Sequence, residues 1–193
     1  MKPLRVLSAT FAGLVALVLS IGPTAADSTH TNDDTFTPNE IVQAGADFFG
    51  VTTEVMAKAV QRATEDLGMP DAYIKGDEGS GAFIFGLRYG SGWLIRKGVE
   101  PVKVYWRGPS VGFDVGGNGS KVFTLVYNLR EERRLYQRFP GVEGSFYFVA
   151  GIGVNYLRSG GVTLAPMRTG VGWRAGVNAH YQVYTDKRDW FPL

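Results

Sequence analysis

From residue 72 onward, apolar and polar residues alternate with a period of two, and glycine-rich turn sequences interrupt the alternation at short intervals. Runs of this kind, rich in valine and aromatic residues, are typical of short β-strands. About eight to ten such runs precede residue 185. Their spacing and the frequent turns favour an all-antiparallel barrel or sandwich over a βαβ sheet.

Glycine is abundant within these predicted strands. Gly86 and Gly153 lie inside otherwise good strand sequences, where glycine marks a sharp bend or a close backbone approach. The strongly curved strands of a small closed barrel need such bends, and closure removes exposed edges. Residues 90–92 and 116–121 resemble phosphate-binding loops, but no helix is predicted after either of them. Both glycine runs are therefore interpreted as tight turns.

Two helices are predicted before the strands. Thr37 and Glu40 form a capping box around a proline at the first helical position, and apolar residues then recur at helical spacing. The second helix ends near Gly68. The sequence thus predicts a single domain over residues 37–193, with two helices in 37–69 and a barrel in 72–185. The fold class is mainly β with a helical N-terminal part (α+β).

The N-terminus has the three parts of a secretory signal peptide, predicted over residues 1–26. Two basic residues precede a long uncharged run, and Thr24 and Ala26 are the small residues at the −3 and −1 positions of a cleavage site. Residues 27–36 are mostly polar and are expected to form a flexible leader. An uncleaved membrane anchor is the alternative, because about 20 apolar residues span a bilayer. No later stretch is long and apolar enough for a transmembrane helix.

Charge and cysteine usage restrict the partners and the compartment. Cleavage would remove Lys2 and Arg5 and no acidic residue, so 18 acidic residues would balance 18 basic ones. A chain without net charge is not expected to bind nucleic acid. The absence of cysteine excludes disulfides, thiolate metal sites and a lipid-bearing cysteine. These features favour a bacterial periplasmic protein, for which no metal or cofactor is expected.

Candidate catalytic groups are few. The chain has two histidines, His30 and His180, and no GxSxG motif, so a histidine-dependent nucleophile is not expected. Asp114 and Glu143 are the carboxylates that could serve a glycan hydrolase. A buried Asp114 would need a positive partner, for which Lys121 and Arg107 are the candidates. No catalytic residue is predicted.

Aromatic residues exceed what one barrel interior needs. In residues 83–85 and 146–148, bulky side chains fall on both faces of a strand. One face fills the barrel, and the other must meet the helices, a partner or an apolar ligand. The candidate ligand-binding residues are Trp93, Tyr105, Trp106 and Phe113, with Arg88 or Arg107 placed to meet an anionic headgroup.

Several runs resemble the envelope integrity protein A family: FGLRYGSG (85–92), VYWRGPSVGFD (104–114), GGNGSKVFTLVYN (116–128), RFPGVEGS (138–145) and GIGVNY (151–156). The resemblance extends over about residues 38–185. It implies a periplasmic protein of alphaproteobacteria with a small β-barrel, a helical N-terminal part and a role in maintaining the cell envelope, linked to lipopolysaccharide O-antigen. The stretch 106–119 is more distantly similar to SYLF domains, which bind lipids.

The sequence therefore predicts a secreted, non-enzymatic periplasmic protein that maintains envelope integrity. The expected partner is an envelope lipid or glycolipid, or an envelope protein. Two alternatives remain open: a glycan-active hydrolase that uses Asp114 and Glu143, and a scaffold that binds only protein.

Overall fold

The structure is a computed structural model that describes residues 34–81, 86–110, 120–169 and 181–189. These residues belong to one compact unit, Thr31–Leu193. The predicted signal peptide and most of the predicted leader lie outside the described residues. The end of the leader is packed: Phe36 is buried, its ring meets Tyr73 edge-on at 5.1 Å, and its N–H donates to the Pro70 carbonyl at 2.9 Å. Phe36 is therefore part of the packed domain.

Two helices open the fold, as predicted. Helix α1 (Pro38–Phe49) begins at Thr37, whose hydroxyl accepts from the Glu40 N–H, while the Glu40 carboxylate accepts from the Thr37 N–H at 2.7 Å. This reciprocal pair satisfies two backbone donors that a helix start leaves without partners. At the start of helix α2 (Thr53–Leu67), the Thr52 hydroxyl accepts a single hydrogen bond from the Val55 N–H. Neither helix of the described residues is long and apolar enough to span a bilayer.

The strands of the described residues form one antiparallel sheet. In chain order they are β1 (Ala72–Gly81), β2 (Gly86–Arg96), β3 (Val99–Ser110), β4 (Ser120–Tyr127), β5 (Arg138–Pro140), β6 (Tyr147–Val149), β7 (Ile152–Val154), β8 (Leu157–Ser159), β9 (Val162–Thr169) and β10 (Tyr181–Thr185). A short 3-10 helix, Glu132–Leu135, lies within the charged stretch before β5.

The sheet curls back on itself. Its strands follow the order β5-β10-β3-β2-β1-β4-β9-β7-β6, and β8 pairs with β9 next to β7. An isolated bridge between Gly141, just after β5, and Leu157 in β8 connects the two sides of this path. The curled antiparallel sheet and the two N-terminal helices confirm the predicted mainly-β, α+β fold.

The two faces of the sheet bury two separate apolar clusters. The inner cluster fills the curl, and its largest members include Ile74, Leu94, Leu164, Phe139 and Tyr184. The outer cluster lies between the helices and the opposite face of β1, β4, β7 and β9. Alternate residues of β1, β4 and β9 therefore go to different clusters, which is the period of two seen in the sequence.

Helix cover is centred on β4. Phe123 is fully buried beneath α1, with its ring centroid 6.3 Å from that of Phe48 and 6.2 Å from that of Phe49. Lys121 reaches the end of α1 and donates to the Phe48 carbonyl at 2.7 Å. Burial of one such phenylalanine contributes about 1.5–3 kcal/mol. The helices leave the outer face of β2, β3 and β10 uncovered over much of its area, since Trp93 is 46% exposed there.

The predicted turn at Gly90-Ser91-Gly92 is wrong, because these residues lie in the middle of β2. Gly92 pairs with Gly76 of β1, and a Cβ on Gly76 would lie 2.2 Å from the Ser91 carbonyl oxygen. Gly90 faces the Trp106 indole, where a Cβ would lie 2.1 Å from the Cε2 atom. These glycines serve close packing and strand curvature rather than a chain reversal.

Candidate functional site

The uncovered outer face carries a groove of about 520 Å³. It crosses β1, β2, β3 and β10, and residues that follow β10 form one wall. Most of its lining surface is apolar. The lining residues are Asp77, Gly79, Tyr89, Gly90, Ser91, Tyr105, Trp106, Arg107, Thr185, Arg188 and Asp189.

Strand register places the outward side chains of the groove in two parallel rows. Asp77, Ser91 and Tyr105 are opposite one another on β1, β2 and β3, and β10 continues this row with Thr185. The second row runs from Gly79 through Tyr89 to Arg107. A Cβ on Gly79 would meet nothing within 4 Å, so this end of the second row opens to space. The groove thus presents two tyrosines over a floor of small residues.

The charged groups of the groove come in both signs. The Arg107 guanidinium lies 2.9 Å from the Asp189 carboxylate, and this ion pair joins β3 to the residues after β10. Arg107 is buried, while Asp189 is exposed. Thr185 donates its hydroxyl hydrogen to the Lys187 carbonyl at 2.8 Å, which shapes the turn that brings Asp189 to the groove. These two contacts hold the groove wall that follows β10 against the sheet.

Behind the groove, the barrel interior contains a buried charge cluster centred on Glu78. Its Oε1 atom accepts from Arg88 Nε at 2.9 Å and from Arg168 Nε at 3.1 Å. Its Oε2 atom accepts from Arg168 Nη2 at 3.2 Å and from Trp106 Nε1 at 2.9 Å. Arg168 also donates to the Asn155 side-chain carbonyl at 3.2 Å. One carboxylate thereby links β1, β2, β3 and β9.

Electrostatics keep this carboxylate ionised. Burial by itself raises the pKa of Glu78, but the guanidinium groups of Arg168 and Arg88 outweigh it, so the pKa of Glu78 lies below its ordinary value. A buried charge with fully formed hydrogen bonds is rigid, because loss of any one bond leaves a desolvated ion. Since Trp106 lies between Tyr105 and Arg107 in β3, the cluster fixes the strand that supplies those two groove residues.

The structure divides the residues that the sequence singled out. Tyr105, Trp106 and Arg107 all line the groove. Arg88 lies inside the curl, where Glu78 accepts from both Arg88 and Trp106. Trp93 lies on the outer face but outside the groove lining. Phe113 lies outside the described residues.

Several residues of the site were not predicted from the sequence. Tyr89 and Ser91 were not identified as site residues, because residues 90–92 were predicted to form a turn. Glu78 lies on the inner face of β1 with Ile74 and Gly76. A predicted strand that extended to residue 81 would therefore have placed the Glu78 carboxylate at a buried position. No local sequence pattern identifies Asp189, because Asp189 belongs to the site through its ion pair with Arg107, which is distant in sequence.

The described residues include only one member of the alternative acid pair. Asp114 lies outside them, and Glu143 is exposed in the turn after β5. The two proposed partners of Asp114 have other contacts, Lys121 with the Phe48 carbonyl and Arg107 with Asp189. Within the described ranges, no three histidine, aspartate or glutamate side chains cluster closely enough to hold a metal ion.

A second cleft of about 310 Å³ lies near the start of β1 and is more polar. Two of its charged side chains bind neighbouring groups of the protein. Asp71 accepts from the Leu129 N–H at 2.7 Å, and Arg96 lies 3.5 Å from the Glu132 carboxylate. The groove on the outer face is therefore the better candidate for ligand binding.

The chain is similar to a known protein family and to a solved structure. The family model described as Envelope integrity protein A matches residues 34–193. A crystal structure described as a beta-barrel-like, uncharacterized protein from Brucella abortus is 47% identical, with a TM-score of 0.77. The alignment covers 83% of this chain and 99% of that one. No curated protein matches the chain.

Proposed function

Because this chain belongs to the envelope integrity protein A family, we propose that it maintains the cell envelope without enzymatic activity of its own, by binding an envelope lipid or glycolipid in the outer-face groove. The family name itself indicates a role at the cell envelope. The finer proposal rests on one observation: the two helices, which pack on the same sheet, leave an apolar concave groove uncovered.

The dimensions and chemistry of the groove support an amphiphilic ligand. Its volume of about 520 Å³ falls in the range of roughly 300–1,000 Å³ that is usual for small-molecule sites. Tyr89 and Tyr105 offer ring faces for an acyl chain or a sugar ring, and Arg107 and Arg188 supply guanidinium groups beside them. Guanidinium groups bind phosphate or carboxylate through paired, charge-assisted hydrogen bonds. An apolar floor beside these guanidinium groups therefore suits a lipid with an anionic headgroup, which would take the place of Asp189 on Arg107.

We further propose that the protein acts in the periplasm after cleavage of residues 1–26. The N-terminal charge and hydropathy pattern supports export, and a periplasmic protein would meet lipids of both membranes. The groove would then hold a single lipid apart from the bilayer, or the exposed part of a membrane-bound glycolipid.

The test compares lipid carried by the exported protein and by a variant with a filled groove. Ser91 lies in the floor of the groove between Asp77 and Tyr105, so Ser91→Phe places bulk there without changing the inner face. Glu100→Phe, at an exposed position of β3 outside the groove, is the matched control. Proteins purified without detergent are extracted with chloroform and methanol, and the extracts are analysed by mass spectrometry.

We expect lipid or glycolipid with the wild type and with Glu100→Phe, and at least a tenfold reduction with Ser91→Phe. Extracts of the wild type that contain no lipid, or equal amounts in all three proteins, would contradict the proposed groove function. Circular dichroism checks that the variants are folded.

A protein partner is the second candidate, and it is favoured by the edge of the sheet at β6. Among the described residues, this strand ends the path of paired strands, and Phe148 is 47% exposed on it. Free strand edges bind extended segments of other proteins through backbone hydrogen bonds. Phe148→Ser should abolish capture of such a partner and leave the lipid content unchanged, whereas Ser91→Phe should do the reverse.

A further inference from the structure

Beside the groove, three outward side chains form a continuous row. Trp93 of β2 is directly opposite Lys75 of β1 on one side and Lys103 of β3 on the other. The Lys103 ammonium lies over the Trp93 ring, 5.0 Å from its centroid. Lys75 is exposed, and the indole is 46% exposed. The row therefore presents one accessible indole between two ammonium groups.

The helices end their cover just before this row. Phe123, the next residue along the same register on β4, is fully buried beneath α1, whereas Trp93, two strands away, faces outward. Within the described ranges, no carboxylate lies within ion-pair distance of Lys75 or Lys103. The nearest acidic residues along the strands are Asp77 and Glu100. The exposed indole is thus a feature of the uncovered face rather than part of the core.

An indole flanked by lysines fits the interface of a membrane. Tryptophan is enriched where its apolar body and its N–H meet the acyl and headgroup regions together. Lysine extends its ammonium to the surface, where anionic headgroups attract it. A protein partner of matching chemistry would need an acidic, apolar patch, but an anionic bilayer supplies both properties across any area.

We propose that Lys75, Trp93 and Lys103 form a contact surface for an anionic phospholipid membrane. This inference concerns where the protein meets a bilayer and does not depend on the groove being occupied. The two sites lie close together, because Ser91 and Tyr105 of the groove are two residues along β2 and β3 from Trp93 and Lys103, about 7 Å away. Contact through the row would therefore place the groove at the membrane surface.

The test is co-sedimentation of the exported protein with vesicles. One set contains phosphatidylglycerol and phosphatidylcholine, and the other contains phosphatidylcholine alone. Wild type is compared with Trp93→Ser, Lys75→Gln and Lys103→Gln. The matched controls are Phe148→Ser, an exposed aromatic on β6, and Lys58→Gln, an exposed lysine on α2. Circular dichroism confirms that each variant is folded.

Wild type should bind the anionic vesicles more tightly than the neutral ones, and high salt should weaken that binding. Loss of each lysine should reduce the affinity about fivefold. Trp93→Ser should reduce it further, and the two controls should match wild type. Tryptophan fluorescence should shift to shorter wavelength on vesicle binding in wild type and shift less in Trp93→Phe.

Absence of wild-type binding to anionic vesicles would overturn the proposal, and so would unchanged binding by the row variants. Ser91→Phe separates this proposal from the groove function, because it should lose carried lipid while keeping vesicle affinity.

Discussion

Replacement of Glu78 by glutamine is the sharpest test of how the barrel supports its groove. The amide keeps the shape of the side chain but removes the charge that faces Arg88 and Arg168. The Arg168 guanidinium is almost completely buried, so it would lose its counter-charge in a medium that solvates it poorly. Removal of one partner from a buried ion pair costs about 3–5 kcal/mol.

The expected loss is large enough to measure directly. A loss of about 3–5 kcal/mol corresponds to a fall in Tm of about 6–20 °C for a domain of this size. Urea unfolding followed by far-UV circular dichroism should show a lower midpoint with an unchanged m value. Glu54→Gln is the control, because Glu54 pairs with Lys58 on an exposed helix face and its loss should fall within experimental error.

The pH dependence gives an independent check on the same carboxylate. Its pKa in the folded protein lies below the value in the unfolded chain, which is about 4.3. The stabilisation by Glu78 is therefore complete above the unfolded pKa and is lost as the pH falls through the folded pKa. The difference in unfolding free energy between wild type and Glu78→Gln should be constant near neutrality and shrink in acid.

Two results would refute this reasoning. One is a Glu78→Gln protein whose unfolding free energy lies within about 1 kcal/mol of wild type at pH 7, far from the cost of an isolated buried charge. The other is a double variant, Glu78→Gln with Arg168→Met, whose loss equals the sum of the single losses, since residues in contact should couple.

Three further changes test the packing that holds the groove strands and helices. Thr37→Ala removes the α1 cap and should lower the free energy of unfolding by about 1 kcal/mol in urea titration; no change would mean that the capping box does not stabilise the helix. Gly90→Ala places a methyl group against Trp106 and should cost about 1–3 kcal/mol with altered near-UV circular dichroism, whereas Gly79→Ala enters open space and should stay within about 0.5 kcal/mol. Similar values for the two alanines would contradict the described contact. Phe123→Ala should cost about 3–5 kcal/mol in the same urea assay, because the ring lies between α1 and the sheet; a loss below about 1 kcal/mol would show that α1 packs elsewhere.

Local sequence signals identify the elements whose formation depends on nearby residues. The Thr37 capping box and the two helices follow from hydrogen-bonding groups and apolar periodicity within a few residues. The alternation after residue 72 predicts strands because successive side chains of a strand point to opposite faces of the sheet, and the inner face is buried throughout. The local sequence pattern therefore predicts most of the curled antiparallel fold.

The local sequence pattern does not predict the candidate site, because that site depends on which strands become neighbours. Gly90 and Gly92 are residues typical of turns. They lie in a strand because Gly90 packs against Trp106 and Gly92 lies close to the backbone of β1. Glu78 and Arg168 are far apart in sequence and meet only inside the closed curl. Tyr105 and Arg107 were identified as ligand-binding candidates from their residue types, but Asp189, the ion-pair partner of Arg107, could not be.

The central claim, that the groove serves the envelope, is tested most directly in cells. A strain that lacks the gene is complemented with wild type, Ser91→Phe or Glu100→Phe, each at equal protein level, and its growth is measured in detergent and in a β-lactam. The account predicts that the deletion sensitises the cells, that wild type and Glu100→Phe restore resistance, and that Ser91→Phe does not. Full resistance with Ser91→Phe, or a deletion strain as resistant as its parent, would contradict it.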